Sequence, residues 1–180
     1  MTNEVAEGIQ INRSVVRLIK DDITDLDVDA FVFYAQSDLA LGTGFGGAIT
    51  VRGGPSIQKE LDELAPVALG EAVVSGAGEL KAKHIIHSVG PKFQEEDTEG
   101  KLRMTVLNSL RRADEAGVER LALPAMGAGY YGIPSDLCAK VMLEVIKSYL
   151  EGETGIKEVV VCVFDTGQNN AFKAQIENMS

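Results

Sequence analysis

One stretch of this 180-residue chain reads Leu41-Gly42-Thr43-Gly44-Phe45-Gly46-Gly47-Ala48-Ile49, and a second reads Pro124-Ala125-Met126-Gly127-Ala128-Gly129-Tyr130-Tyr131-Gly132. Each follows a short apolar run that is typical of a buried strand. Glycine lets a backbone approach a ligand closely and turn its N–H groups toward an anion. Two such loops in one domain predict a clamp on a diphosphate. The alternative for the first loop is a plain tight connection between two elements.

Strands and helices alternate along the chain. Apolar runs predict strands over residues 8–12, 14–19, 29–34, 71–75, 84–88, 119–123 and 159–164. Helical spacing predicts helices over residues 47–52, 55–64, 100–116, 134–150 and 169–177. The alternation after residue 28 predicts a three-layer α/β/α sandwich around a mixed, mostly parallel sheet, with antiparallel strands at the start. In such sheets ligands bind beyond the carboxyl ends of the strands, where both glycine loops begin.

Length and composition predict a single domain over residues 1–180, because no linker or repeat interrupts the pattern. Residues 1–10 are polar and acidic, so we expect a flexible N-terminus without a secretory signal, and hence a cytoplasmic protein. No apolar run approaches the ~20 residues that span a membrane. The chain has 17 basic and 27 acidic residues, which disfavours broad binding of nucleic acid. Backbone amides could still bind an anion locally.

Five blocks of sequence together resemble the macrodomain family over about residues 15–165. The blocks are Asp22-Ile23-Thr24 with Asp29-Ala30-Phe31-Val32, Gly42-x-Gly44-Phe45-x-Gly47-Ala48-Ile49, Gly70-Glu71-Ala72-Val73-Val74, Ile85-Ile86-His87-Ser88-Val89-Gly90-Pro91, and Leu121-Ala122-Leu123-Pro124-Ala125-Met126-Gly127-Ala128-Gly129 followed by Gly132-Ile133-Pro134. The resemblance implies a mixed sheet between helices and a cleft that binds ADP-ribose or an ADP-ribosylated protein. It implies no cofactor, and the two histidines lack the spacing of metal ligands. Cys138 and Cys162 are expected to be reduced core thiols.

The resemblance also assigns ligand-binding residues. Asp22 would accept a hydrogen bond from the adenine amino group, with Ile23 beside the ring and Phe164 packed near it. The two diphosphate loops would consist of Gly42, Thr43, Gly44 and Phe45, and of Gly127, Ala128, Gly129, Tyr130 and Tyr131. Asp22 could instead cap a helix or lie in a surface turn. Asn169 is a further candidate near adenine, and Tyr130 and Tyr131 could be core residues.

The segment after the central strand departs from the family's catalytic pattern. Many catalytic members carry Asn-Ala-Ala-Asn there, whereas this chain has Phe33-Tyr34-Ala35-Gln36. Hydrolytic members often carry an aspartate in the first glycine loop and a histidine shortly after it, where this chain has Gly46 and Thr50. A positioned general base typically contributes ~10²–10⁴ in rate. The departures therefore favour a binding module over an enzyme.

Two other functions stay open at this point. The first is a hydrolase acting on ADP-ribosylated protein, O-acetyl-ADP-ribose or ADP-ribose 1″-phosphate (Appr-1-p processing), in which a phosphate of the ligand activates water. Its candidate catalytic residues are Gln36, His87 and Tyr34, although the position of His87 favours a structural histidine at a strand end. The second is a diverged domain with another ligand or a scaffold role, since Phe33 and Tyr34 could crowd the distal ribose. The sequence does not indicate an oligomeric state.

Overall fold

A computed structural model describes residues 8–42 and 44–179 of the chain, except for the side chain of Tyr130. The strands in this part of the chain are β1 (Ile9–Ile11), β2 (Ser14–Lys20), β3 (Ala30–Ala35), β4 (Ala72–Gly76), β5 (His84–Val89), β6 (Arg120–Leu123) and β7 (Glu158–Val163). The α-helices are α1 (Gly44–Gly53), α2 (Ser56–Leu64), α3 (Thr98–Glu115), α4 (Ser135–Leu150) and α5 (Thr166–Met179). Short 3-10 helices span Ile23–Asp25 and Gly129–Tyr131. The strand predicted over residues 8–12 is confirmed as β1, while residues 1–7 of the expected flexible segment lie outside the described residues.

The seven strands form one mixed sheet in the order β1-β2-β7-β6-β3-β5-β4. Neighbouring strands are parallel from β2 to β5 and antiparallel at both edges, where β1 pairs with β2 and β4 pairs with β5. We predicted antiparallel strands only at the start of the chain. The pair at the other edge follows from chain length, because residues 77–83 are too few for the crossover of a dozen or more residues that a parallel neighbour requires.

Helices cover both faces of this sheet and divide its core in two. On β3, Phe31 belongs to a smaller core with Ile49 of α1 and Leu61 of α2. The next residue, Val32, belongs to a larger core formed with α3, α4 and α5. The alternation arises because successive side chains of a strand point to opposite faces. The predicted three-layer α/β/α sandwich is therefore confirmed.

Two helices, α1 and α5, begin three residues earlier than their apolar spacing predicts, and α3 begins two residues earlier, at Thr98. α1 begins at Gly44 rather than residue 47, so its first turn contains three glycines that helix propensity disfavours. α5 begins at Thr166 rather than residue 169, and the Asp165 carboxylate accepts the backbone N–H of Gln168 at 2.8 Å. An aspartate before a helix satisfies one of the free N–H groups of its first turn. Loop contacts and capping thus set the start of α1 and α5.

The order of the strands places a topological switch point between β3 and β6, where we expect a ligand-binding crevice. The chain runs from β3 outward to β5, then returns to β6 and continues in the opposite direction to β7. Consequently α1 and α2, which follow β3, cover one face, whereas α4, which follows β6, covers the other. Ligands of open α/β sheets bind at such a switch in strand order, beyond the carboxyl ends of the strands. Both glycine loops lie there.

Among the described residues, the helices lack the combination of length and apolar character that a bilayer crossing requires.

Candidate binding site

The glycines that face the crevice combine left-handed backbone with open space. Gly42, Gly44 and Gly129 have φ of +65°, +61° and +72°, and a Cβ placed on any of them would meet no atom within 4 Å. An L side chain adopts this backbone region only under strain, so glycine is favoured there. The unfilled space beside these three residues leaves room for a ligand to approach the backbone. Thr43, which belongs to the predicted first loop, lies outside the described residues.

The second loop is closed by its own hydrogen bonds. The backbone N–H of Ile133 donates to the Gly127 carbonyl at 3.0 Å, and that of Gly132 donates to the Gly129 carbonyl at 2.9 Å. Gly127 has φ of +86°, and a Cβ there would overlap the Ile133 side chain and lie 3.3 Å from the Tyr34 hydroxyl. This loop is therefore a packed turn that presents Gly129 outward. The side chain of Tyr130 lies outside the described residues.

At the end of β2, Asp22 caps the 3-10 helix Ile23–Asp25. Its Oδ1 accepts the backbone N–H of Thr24 at 3.0 Å and the Thr24 hydroxyl at 2.6 Å, while its Oδ2 lies 2.9 Å from Arg52 Nη1. Burial acts to raise the pKa of Asp22, but the hydrogen bonds from Thr24 and the charge of Arg52 outweigh it and hold that pKa below its usual value. The cap that we gave as an alternative is present, and the side chain remains 42% exposed, so it can also meet a ligand.

The other residues expected near adenine differ in exposure. Ile23 is 2% exposed and packs in the smaller core, so its backbone and not its side chain is available to a ring. Phe164 follows β7 directly and is 76% exposed. Asn169 is half-buried in the first turns of α5. An exposed aromatic face at the carboxyl edge of the sheet suits stacking against a base, worth ~1–3 kcal/mol in nucleic-acid sites.

Aromatic rings lie beneath the first loop. Phe33 lies between Phe45 of the first loop, at 6.4 Å between ring centroids, and His87 of β5, at 6.0 Å. A Cβ at Gly46 would overlap the Leu41 carbonyl, so no side chain fits there without a backbone shift. Thr50, at the position of the family's histidine, donates its hydroxyl to the Gly46 carbonyl at 3.2 Å.

Of the three candidate catalytic residues, only Gln36 is exposed. Tyr34 is 7% exposed, donates its hydroxyl to the Pro91 carbonyl at 2.5 Å, and burial raises its pKa well above the usual value. His87 is fully buried, with Nε2 at 2.8 Å from the Ser75 hydroxyl and no partner for Nδ1 among the described residues. Burial lowers the pKa of His87 to about 4. Both side chains are buried, and they pack against aromatic rings, His87 against Phe33 and Tyr34 against Tyr131.

The two cysteines lie in the core. Cys138 and Cys162 are free and buried, and burial raises the pKa of each thiol to about 12. Across residues 8–42 and 44–179, His, Cys, Asp and Glu side chains form no group of three that could hold a metal ion.

One cavity lies away from the two glycine loops. It measures about 450 Å³ and lies between β1 and the ends of α4 and α5, lined by Ile9, Ile11, Lys147, Glu151 and Met179 among others. Two of its lining residues, Lys147 and Glu151, pair with each other at 2.8 Å. The crevice is the better candidate, because glycine backbone and a charged carboxylate meet there at the carboxyl edge of the sheet.

Sequence reasoning missed Arg52 and the role of the Tyr34 hydroxyl. The Asp22–Arg52 pair joins residues 30 positions apart, and the Tyr34–Pro91 hydrogen bond joins residues 57 positions apart. Helix periodicity marks Arg52 only as a polar residue near the end of α1. No local pattern could have indicated either partner, since both contacts depend on how distant elements pack.

Known proteins resemble this chain in sequence and in fold. The family model described as Macro domain matches residues 34–142. An uncharacterised protein of Saccharolobus solfataricus is 41% identical over 163 residues, covering 88% of this chain and 90% of its own length. A mutant macrodomain of Oceanobacillus iheyensis, solved with ADPR, superposes with a TM-score of 0.90 at 24% identity and covers 96% of this chain and 97% of its own. The Trypanosoma brucei macrodomain in complex with ADP-ribose gives 0.83 at 23%, covering 88% and 68%. The chain belongs to the macro domain family.

Proposed function

We propose that this chain binds ADP-ribose, free or as an ADP-ribosyl group on a protein, in the crevice between β3 and β6. The observation that carries the proposal is the pair of glycine loops at the switch in strand order, where Gly42, Gly44 and Gly129 face open space. Support comes from the macrodomains of Oceanobacillus iheyensis and Trypanosoma brucei, which share the fold and were solved with ADPR and ADP-ribose.

The diphosphate would be held by backbone amides. α1 begins at Gly44, so the free N–H groups of its first turn point toward the crevice. A helix N-terminus binds an anion through these groups and through its dipole, and needs no lysine or arginine. This mode of binding is compatible with the chain's net charge of −10. The second loop would contribute amides from the residues around Gly129.

The adenine would lie between Asp22 and Phe164. Thr24 occupies both acceptor directions of Asp22 Oδ1, and Arg52 occupies one direction of Oδ2. A carboxylate oxygen accepts two hydrogen bonds, so one direction of Oδ2 remains for an amino group. A ligand without that donor would leave the charged oxygen poorly paired, which discriminates by hydrogen bonding.

Binding without hydrolysis is the function that the distal end supports best. The backbone contact at Gly46 leaves no room for the carboxylate of hydrolytic members, and Tyr34 and His87 are buried. A hydrolase that uses a phosphate of its ligand as base would have Gln36 alone to hold the distal ribose. We therefore expect no release of ADP-ribose from ADP-ribosylated protein, O-acetyl-ADP-ribose or ADP-ribose 1″-phosphate during incubation with the protein.

Calorimetric titration of ADP-ribose tests the proposal. We expect micromolar affinity for the wild type and a loss of at least ~100-fold for Gly129→Val, because the branched side chain would fill the space beside the diphosphate. Gly117→Val is the matched control. Gly117 has φ of +76° and equally open surroundings, but it precedes β6 and lies at the opposite edge of the sheet. A folded wild type that does not bind ADP-ribose, or equal losses in the two variants, would overturn the proposal.

A further inference from the structure

Tyr34 lies close to two of the segments that follow the carboxyl ends of the strands. It is the fifth residue of β3, and β3 is flanked by β5 on one side and β6 on the other. The segment after β5 contains Gly90 and Pro91, and the segment after β6 is the second glycine loop. Because Tyr34 belongs to the larger core, its ring extends under both segments on the face covered by α3 and α4.

The contacts of the phenol join these two segments. The hydroxyl donates to the Pro91 carbonyl at 2.5 Å. Both neighbouring segments carry glycine at the point of contact, since a Cβ at Gly90 would overlap the ring and a Cβ at Gly127 would lie 3.3 Å from the hydroxyl oxygen. The ring also packs edge-on against Tyr131, with centroids 4.7 Å apart. A tyrosine of this size is accommodated only because both loops lack a side chain there.

A second hydrogen bond links the same two segments. The backbone N–H of Phe93 donates to the Tyr131 carbonyl at 2.9 Å. Pro91 is buried, so water cannot easily replace the Tyr34 hydroxyl as a donor. Loss of that hydroxyl would therefore leave the Pro91 carbonyl without a hydrogen bond from Tyr34. The hydrogen bond from Phe93 would remain, but Phe93 is exposed and contacts the second glycine loop only at Tyr131, near its end.

We propose that Tyr34 is a positioning residue for the second glycine loop, fastening it to the segment after β5 and so setting the affinity for the diphosphate of the ligand. The inference rests on the proposed function, because it assigns the loop to the diphosphate. Burial raises the pKa of the Tyr34 phenol, which supports the inference because the protonated hydroxyl is the form that donates. Because its side chain is buried, Tyr34 would act through the loop and not through contact with the ligand.

Two measurements on Tyr34→Phe test the inference. In the ligand-free protein, amide hydrogen exchange should quicken at Ala128, Gly132 and Ile133, whose N–H groups close the loop. In titrations, the Kd for ADP should rise about fivefold to tenfold, as expected for one lost hydrogen bond, whereas the Kd for AMP should change less than about twofold. AMP has one phosphate, so it depends less on the second loop.

Tyr149→Phe is the matched control. Tyr149 also donates its hydroxyl to a partner far away in sequence, Asp114, but this contact lies at the amino edge of the sheet. The control should leave loop exchange and both affinities unchanged. Loop exchange equal to that of the wild type, or equal weakening of ADP and AMP, would overturn the inference. A wild type that binds no ADP-ribose would overturn the proposed function and the affinity effect together, while the exchange data would still show whether Tyr34 holds the loop.

Discussion

The two glycine loops look alike in sequence but are held in different ways. The second loop is packed from below by Tyr34 and Ile133 and closed by backbone hydrogen bonds. The first loop runs directly into α1. Its Phe45 ring packs against Phe33, and the backbone N–H of Leu41 donates to Gln58 Oε1 at 3.0 Å. Phe45 itself is 40% exposed. The second loop is therefore a turn held by packing and hydrogen bonds, whereas the first loop leads into the N-terminus of α1 and has open space beside its glycines.

The comparison shows that glycine serves two physical purposes in this crevice. At Gly42, Gly44 and Gly129 it gives a left-handed backbone beside empty space. At Gly46 and Gly127 it allows another part of the chain to pack where a side chain would lie. Substitutions of the first group should weaken ligand binding, and substitutions of the second group should destabilise the fold.

The largest effect is expected for Gly46→Asp, which restores the aspartate of hydrolytic members. Its Cβ would overlap the Leu41 carbonyl, so we expect the free energy of unfolding to fall by about 3 kcal/mol or more and no hydrolysis to appear. Gly47→Asp is the control, because a Cβ there lies 3.5 Å from the Gly42 carbonyl, an ordinary contact. Chemical denaturation of both variants measures the difference. Equal stability of the two would show that the first loop yields easily at Gly46.

Gly127→Ala should have the next largest effect. The added methyl group meets Ile133 and Tyr34 in a residue with φ of +86°, so we expect a loss of about 2–3 kcal/mol in the free energy of unfolding. Gly129→Ala has a similar backbone but open surroundings, and should lose only about 1 kcal/mol. Denaturation curves of the pair test whether the second loop is packed as described. A larger loss for Gly129→Ala would contradict that description.

His87, which lies beneath the first loop, should make stability depend on pH, whereas Tyr34, beneath the second loop, should not. His87 packs against Phe33, and burial lowers its pKa to about 4. In the unfolded chain, His87 is protonated at about pH 6.5, whereas in the folded protein it stays neutral until about pH 4. The free energy of unfolding therefore falls as the pH drops below 6.5, and this fall levels off below the folded pKa. Between pH 7 and 5 the His87 contribution should fall by about 2 kcal/mol. The Tyr34 phenol does not ionise in this range.

Unfolding experiments at several pH values, with His87→Gln and His84→Gln, measure this dependence. His87→Gln should flatten the fall in stability between pH 7 and 5, because the titrating group is gone. His84→Gln should retain it, since His84 lies half-buried at the start of β5 and does not contact Phe33 in the described ring pairs. A wild type whose stability is constant over this range would show that His87 is readily protonated in the fold.

The smallest effect is expected at the end of β2, where Asp22 links the crevice to α1 through Arg52. Asp22→Asn keeps an acceptor for Thr24 but replaces the second oxygen, so ADP-ribose affinity should fall about tenfold. The lowered pKa of Asp22 means that its carboxylate stays charged until the pH falls below its unfolded value of about 3.9. Affinity should therefore be independent of this group from pH 5 to 8. Titrations of both proteins at pH 5 and pH 8 check this, and an unchanged Kd in the variant would remove Asp22 from the binding site.

The sequence predicted the elements of the fold well because their signals are local. Short apolar runs indicated the seven strands. Neighbouring residues of β3, Phe31 and Val32, lie on opposite faces of the sheet and pack into different cores. Sequence reasoning did not predict that β4 pairs antiparallel with β5, since pairing joins segments that no short pattern relates. The early starts of α1 and α5 were also missed, because loop contacts and capping outweigh helix propensity there.

For the candidate site, the sequence by itself determined the two glycine loops, the carboxylate at Asp22 and the absence of the family's catalytic aspartate and histidine. These features depend only on which residues stand at which positions. Only the tertiary structure decided which glycines are open and which are packed, that Tyr34 and His87 are buried, and that Arg52 pairs with Asp22. The physical reason is that exposure, pKa and hydrogen-bond partners are set by contacts between residues far apart in the chain, which form only when the sheet brings its loops together.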